Sequence, residues 1–253
     1  MTNENVVLII PTYNESAVIR QTISALSDIR SQLKNKQLNV LIFDSASTDL
    51  TVEIVKNMQA DYDWLYLQQE SKKSGLGSAY YQAMQYALKQ LNADVVIEFD
   101  ADLSHQPKYL LPMLEKIDTY DVVIGSRYVR GGRLPADWAF YRKLISTMGN
   151  WVSRMVLSQK YKDFTSGFRA TRKNSLIQVL NIPFISPNYG YKLDLLWRLH
   201  LLNARILEIP IEFVDREKGQ SKLPRNSIVE SLGVIFKLRF NPLFHKAFQF
   251  LGK

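Results

Sequence analysis

The chain has 253 residues, of which 46% are hydrophobic and 22% charged, and it has no cysteine. Such a chain can build one large domain with a full core, and its composition excludes long disorder, disulfides and a thiolate metal site. The net charge of +8 is uneven: residues 1–125 are net −6, 126–173 net +9, 174–217 net −1 and 218–253 net +6, so basic surface is available to nucleic acid, anionic lipid or a phosphorylated substrate.

The start, "MTNENVVLIIPTYNE", has no basic leader region, and its apolar run stops at Pro11. No signal peptide is expected. No window approaches the roughly 18 apolar residues of a membrane span, so a cytoplasmic protein, soluble or peripheral at the cytosolic face of a membrane, is the expectation. "NVVLII" (5–10), "LNVLIF" (38–43), "ADVVIEF" (93–99) and "YDVVIG" (120–125) are apolar, β-branched runs. They predict strands buried on both faces. "WLYLQ" (64–68) predicts one more. Helical patterns fill 15–35, 48–58, 77–91 and 107–118. The alternation predicts an α/β fold with a parallel sheet covered by helices. Further on, 138–158 reads as a helix with aromatic and basic residues, and "NARILEIPIEF" (203–213) as a late strand. The last block, 226–253, mixes Phe, Leu and Ile with Lys, Arg and His. The expected organisation is one domain over 1–225 and a basic amphipathic appendage over 226–253. The appendage could lie at a membrane surface, or it could pack on the domain or on a partner.

In parallel sheets ligands bind beyond the carboxyl ends of the strands. The first strand ends in "PTYNE" (11–15), with Tyr13 offering a ring face. The second ends in "FDSASTDLT", with Asp44 at the strand tip. The fourth runs into "DADLSHQP", where Asp100 and Asp102 flank one alanine. In extended chain, residues i and i+2 point the same way, about 7 Å apart. Two carboxylates so placed repel unless a cation neutralises them. A hard divalent ion shared with substrate phosphates, Mg²⁺ or Mn²⁺, fits that pattern. The plainer alternative is an Asx-turn or a cap on the helix that starts near Pro107. A base could stack on Tyr13 and donate to Asp44, with its diphosphate on the metal. Arg127, in "GSRY", could meet a phosphate or pair with a nearby acid. Arg142 and Lys143 could do the same or form a solvated face. Arg216 and Lys222 flank Gly219 in "DREKGQSK", a loop that could close on a diphosphate or be plain surface. "GLG" (75–77) reads mostly as a tight turn.

"IIPTYNE", "DSASTDLT", "KSGLGSAY", "DADLSHQP", "GSRYVRGG", "TSGFRA" and "DREKGQSKL" fall in the order and near the spacing of the dolichol-phosphate mannose synthases. The chain resembles that family over about residues 6–225. The family comprises inverting glycosyltransferases of family 2 with the GT-A fold, a Rossmann-like, mostly parallel sheet flanked by helices. The resemblance implies transfer of a hexose, usually mannose from GDP-mannose, to a polyprenyl or dolichyl phosphate. It implies nucleotide contacts from Pro11, Tyr13, Glu15, Ile42 and Asp44. It puts Asp100, Ala101 and Asp102 at the diphosphate and metal, and Arg127, Arg216 and Lys222 on phosphates, with Asp102 and those three basic residues as the catalytic set. It also implies a membrane surface as partner, leaves room for a separate membrane subunit, and argues against a nucleic-acid partner.

Three departures stand out. The family's Asp-Asp pair is Asp44-Ser45 here, its Arg before GLG is Glu70, and Leu196 stands where relatives usually carry a Glu, with Asp194 two residues earlier. Ser104 takes a position where some relatives offer a glutamine. Rival readings are the same reaction from a UDP-sugar such as UDP-glucose, a nucleotidyltransferase, a nucleic-acid binder and an inactive nucleotide-sugar-binding relative. The absence of glycine in "PTYNE" opposes the second, and the acidic first half opposes the third.

Overall fold

The computed structural model describes residues 3–215 and 227–241. Seven strands form one sheet. They are β1 (Glu4–Thr12), β2 (Lys36–Asp44), β3 (Leu65–Gln69), β4 (Val95–Glu98), β5 (Val122–Ser126), β6 (Arg169–Arg172) and β7 (Ile206–Pro210), in the order β3-β2-β1-β4-β6-β5-β7. The helices α1 (Ile19–Arg30), α2 (Thr51–Met58), α3 (Leu76–Lys89) and α4 (Leu110–Lys116) alternate with the first five strands. After β5 come α5 (Phe140–Val156), α6 (Lys173–Val179), α7 (Tyr191–Leu201) and α8 (Ser227–Phe240).

The strand interiors explain the layering. Side chains alternate along a strand, and β1 sends Val7 and Ile9 to one face and Val6, Leu8 and Ile10 to the other, all fully buried. The first face packs on α3 and α7 through Tyr80, Ala83, Tyr191 and Leu195. The second packs on α1, α2 and α4 through Ile19, Ile23, Val55 and Leu114. Such two-sided burial is what the continuous apolar runs required.

β6 was not expected. It runs antiparallel between β4 and β5, with Glu98 opposite Arg169. Its sequence, "RATR", has no apolar run to reveal it. The reversal matters for the site, because it brings the loop before β6 to the edge where β4 and β5 end. In the C-terminal block, α8 packs on the domain. Val234, Ile235 and Leu238 are buried in the same cluster as α7.

Candidate functional site

The carboxyl ends of β1, β2, β4 and β5 converge on one edge of the sheet. Thr12 pairs with Asp44 at the ends of β1 and β2. Asp44 is fully buried. It accepts hydrogen bonds from Thr12 Oγ1 at 2.9 Å, Ser47 N at 2.9 Å and Ser47 Oγ at 2.5 Å. Asp49 binds the next turn, accepting from Thr51 Oγ1 and Ser16 N. Burial would raise its pKa, but these bonds win and hold it at about 2. The two acids therefore lace the β1 and β2 loops together. Glu15 takes part through its backbone, its N–H donating to Thr51 Oγ1 and its carbonyl accepting from Val18 and Ile19. Pro11 is half-buried, in register with Phe43.

Tyr13 lies on the same edge, and Lys73 Nζ sits 3.6 Å from its ring centroid. The loop carrying Lys73 is cinched by Glu70, which accepts from Ser74 N at 3.0 Å and Ser74 Oγ at 2.5 Å. Glu70 thus holds a loop in which Lys73 supplies a cation. The GLG segment is a packing turn. Gly77 N and Ser78 N both donate to the carbonyl of Pro187, and a β-carbon on Gly77 would meet Ser186 O at 2.6 Å. Those amides are committed and cradle no phosphate.

Ile42, expected at the nucleotide, lies in β2 two residues before Asp44. Its side chain is fully buried in the core on the α1 and α2 face of β2. The strand alternation that buries it keeps that side chain off a nucleotide.

Asp100 and Asp102 follow β4 and are both partly exposed. Ala101 between them is buried, and its carbonyl accepts from Thr22 Oγ1 at 2.6 Å. The Asp102 carboxylate accepts from Ser104 N at 3.1 Å, an Asx-turn. Leu103 turns the chain with φ +58°, a conformation that non-glycine residues rarely adopt. The turn leaves both acids at the surface. His105 folds beneath them, stacked on Phe168 at 5.1 Å, with Nδ1 3.4 Å from Asp100 Oδ2. Burial pushes its pKa down to about 4 against the pull of Asp100. It is a neutral floor for the site. In metal-free protein, stability is expected to fall as pH drops from about 6.5, the ordinary value, to about 4, because over that window the unfolded chain binds a proton that buried His105 does not take up. Denaturant unfolding of His105→Gln over that window should show a smaller fall, and an unchanged fall would refute this role.

Two carboxylates with no third acid are what the described residues bring. Among the described residues no group of three His, Cys, Asp or Glu could hold a metal. A hard cation bound by one or two carboxylates, with water and substrate phosphate completing its shell, needs no more. The donor set fits Mg²⁺ or Mn²⁺. Ser104 Oγ is buried without a hydrogen-bond partner among the described residues, and the Ser104 carbonyl accepts from Val214 N.

Arg127 pairs with an acid. Nε and Nη2 donate to Asp163 at 2.8 and 2.7 Å, and Nη2 also donates to Thr165 Oγ1 at 2.8 Å. Burial would lower its pKa, but the Asp163 carboxylate raises it. Asp163 in turn is held down by Arg127 against its own burial. Nη1 makes no hydrogen bond among the described residues. Arg142 pairs with Asp215 at 3.0 Å, and Lys143 donates to the carbonyl of Ala136. Arg216 and Lys222 lie outside the described residues.

Lys192 was missed from the sequence. A β-carbon on Gly167 would lie 2.4 Å from Lys192 Nζ and 3.5 Å from His105 Cε1. The half-buried ammonium therefore flanks the same glycine as the imidazole beneath Asp100. It has no carboxylate or hydrogen-bond partner among the described residues. The only sequence signal was a charge in an apolar helix, "YKLDLLWR". Leu196 and Asp194, on the same helix, take different places. Leu196 is fully buried in the core, whereas Asp194 binds Arg198 at 2.7 and 2.8 Å and accepts from Ile185 N at 2.8 Å. The acid of this helix ties down a loop.

Residues 7–180 match the family model described as glycosyl transferase family 2. The chain is 37% identical over 227 residues to an undecaprenyl-phosphate mannosyltransferase of Micrococcus luteus, covering 90% of each. It is 33% identical over 231 residues to a polyprenol monophosphomannose synthase of Mycolicibacterium smegmatis, covering 90% of this chain and 84% of the relative. Among solved structures it resembles the Mycobacterium tuberculosis glucosyl-3-phosphoglycerate synthase in complex with Mn²⁺, UDP and its product, with TM-score 0.67, 16% identity and coverage of 94% and 81%. It also resembles a mannosyltransferase of Pyrobaculum calidifontis in complex with GDP-Man and Mn²⁺, with TM-score 0.58, 17% identity and coverage of 98% and 74%. At these identities the structural likeness speaks to the fold, and it is that of GT-A glycosyltransferases.

Proposed function

This chain belongs to glycosyltransferase family 2, and from that premise we propose that it transfers mannose from GDP-mannose to a polyprenyl phosphate with inversion at the anomeric carbon. The observation that carries this reading is the likeness to two polyprenyl-phosphate mannosyltransferases along 90% of the chain. The exposed Asp100–Asp102 pair at a strand edge supports it. The acceptor is a lipid, so the enzyme works peripherally at a membrane surface.

The nucleophile is the acceptor phosphate. Its second pKa is about 6, so it is largely dianionic at neutral pH and no general base is needed. One phosphate oxygen forms a bond to C1 of the sugar while the bond from C1 to the donor's β-phosphate oxygen breaks. The electron pair leaves with GDP. An α-linked donor gives a β-linked lipid phosphosugar.

The chain's own residues supply position and charge. Asp100 and Asp102 would hold a divalent cation, which supplies Lewis-acid neutralisation of the departing diphosphate. Lys192 adds a fixed positive charge on the same side. Arg127 can reach a phosphate through Nη1 alone, because Asp163 and Thr165 occupy the rest of the fork. Arg216 and Lys222 are assigned to the phosphates on the motif alone. Tyr13 offers a ring to the base, which would have to displace Lys73 or use the opposite face. Asp44 shapes the base site by fixing Thr12 and Ser47.

The test is transfer of labelled mannose into the organic phase from GDP-mannose, with Mn²⁺ or Mg²⁺ and a polyprenyl phosphate, run beside labelled UDP-glucose. Transfer from GDP-mannose alone is the expected result. Transfer from UDP-glucose alone would establish the other donor, and transfer from neither would refute the acceptor assignment.

A further inference from the structure

Helix α5 is built inside out. Its only buried residues are Asn150 and Ser153. Val152 and Val156 pack half-buried against the core, but most of its large apolar residues face outward: Phe140 is 80% exposed, Trp151 59% and Met155 58%, with Tyr141, Leu144 and Met148 also exposed. At 3.6 residues per turn these outward positions share one arc of roughly 100°. The polar arc holds the helix to the domain. Ser146 Oγ shares a 2.7 Å hydrogen bond with Tyr128 OH, Asn150 Oδ1 accepts from Phe164 N at 2.8 Å, and Asn150 Nδ2 donates to Thr165 at 3.1 Å. A soluble surface helix does the reverse. The exposed face therefore has an apolar occupant to meet.

Charge says which one. Lys143 and Arg154 border the apolar arc on one side and Arg142 on the other, within the segment that is net +9. Neighbouring α8 adds exposed Val229, Phe236 and Phe240 with Lys237 and Arg239. Apposing two copies of this face would bring the basic borders together. An anionic bilayer complements both features, taking up apolar side chains and attracting cations. The location fits as well. Arg142 pairs with Asp215, and Asp215 shares with Asp102 the lining of a cleft of about 350 Å³. The apolar arc thus begins beside the mouth of the site.

We propose that the exposed face of α5, extended by α8, is a membrane-docking surface that inserts its apolar arc between anionic lipids and sets the cleft at headgroup level. The link to the cleft rests on the lipid-acceptor reading above, whereas the docking itself does not. The test uses the full chain and the variant Leu144→Gln/Met148→Gln/Trp151→Gln, whose exposed positions keep helix-forming residues. Partition onto phosphatidylglycerol–phosphatidylcholine vesicles is expected to fall at least about tenfold in the variant. The parent's binding should weaken with salt. Mannose transfer to a short, water-soluble prenyl phosphate should be unchanged. Equal vesicle binding by both proteins overturns the proposal. So does a parent that is dimeric in solution and a variant that is monomeric yet still binds vesicles, because the face is then a subunit contact. Variant-sensitive vesicle binding without transfer by the parent from either GDP-mannose or UDP-glucose would support the docking surface and refute the acceptor reading.

Discussion

Asp102→Ala is expected to lower mannose transfer by about a thousandfold, or roughly 4 kcal/mol of transition-state stabilisation. Asp100 and Asp102 are the two acids that the chain presents together beyond β4, and the leaving diphosphate needs its growing charge neutralised there. Removing one leaves a single carboxylate for a cation that prefers several oxygens. Folding is expected to survive, because the Asp102 carboxylate is partly exposed and its bond from the Ser104 N–H is short-range. The measurement is initial rate against Mn²⁺ concentration, with the thermal midpoint as control. A rate within tenfold of the parent at every Mn²⁺ concentration, limiting ones included, would remove Asp102 from the site. Recovery at high Mn²⁺ would mean that it sets affinity for the cation and not the rate.

Asp163→Ala is expected to destabilise the fold by about 3–5 kcal/mol, the cost of stripping a buried ion of its partner. Asp163 is fully buried and accepts from Arg127 Nε, Nη2 and backbone N, and from Thr165 N. The substitution leaves the Arg127 guanidinium between the Tyr128 and Phe213 rings with no carboxylate partner among the described residues and Thr165 Oγ1 as its remaining acceptor there. Urea unfolding measures the loss, and a change under about 1 kcal/mol would show that the pair is solvated. The double variant Asp163→Leu/Arg127→Met should recover much of the stability, since it removes both charges together. If it regains stability but not transfer, Arg127 also serves the reaction through Nη1.

The sheet edge was legible in the sequence because its ingredients are local. Apolar β-branched runs mark buried strands wherever they occur, and a strand's end is marked by what stops it. "PTYNE", "FDSAS" and "FDADLSH" could therefore be placed on one edge before any contact was known. The adjacency of Asp100 and Asp102 is likewise a matter of two residues' spacing. Family motifs in order then narrowed the chemistry to a sugar nucleotide and a lipid phosphate.

Contacts between distant segments were not legible. Nothing in "RATR" announces a strand, since its place depends on the open edges of β4 and β5. Its reversed direction carries Asp163 to Arg127, 36 residues away, and so decided which of two roles the arginine's fork takes. Ile42 and Leu196 belong to the core because of the faces they occupy, a matter of register and helix rotation. Lys192 became a site residue only when α7 packed beside Gly167 and His105. The polarity of α5 is the clearest case. Periodicity finds an amphipathic helix but not which side faces inward, and here polar groups of the 128 and 164–165 loops claimed the polar side. Local sequence determined the strands, their ends and the paired acids. The tertiary structure decided which charges are neutralised inside the fold and which are left to meet a ligand or a membrane, because burial and pairing depend on every segment at once.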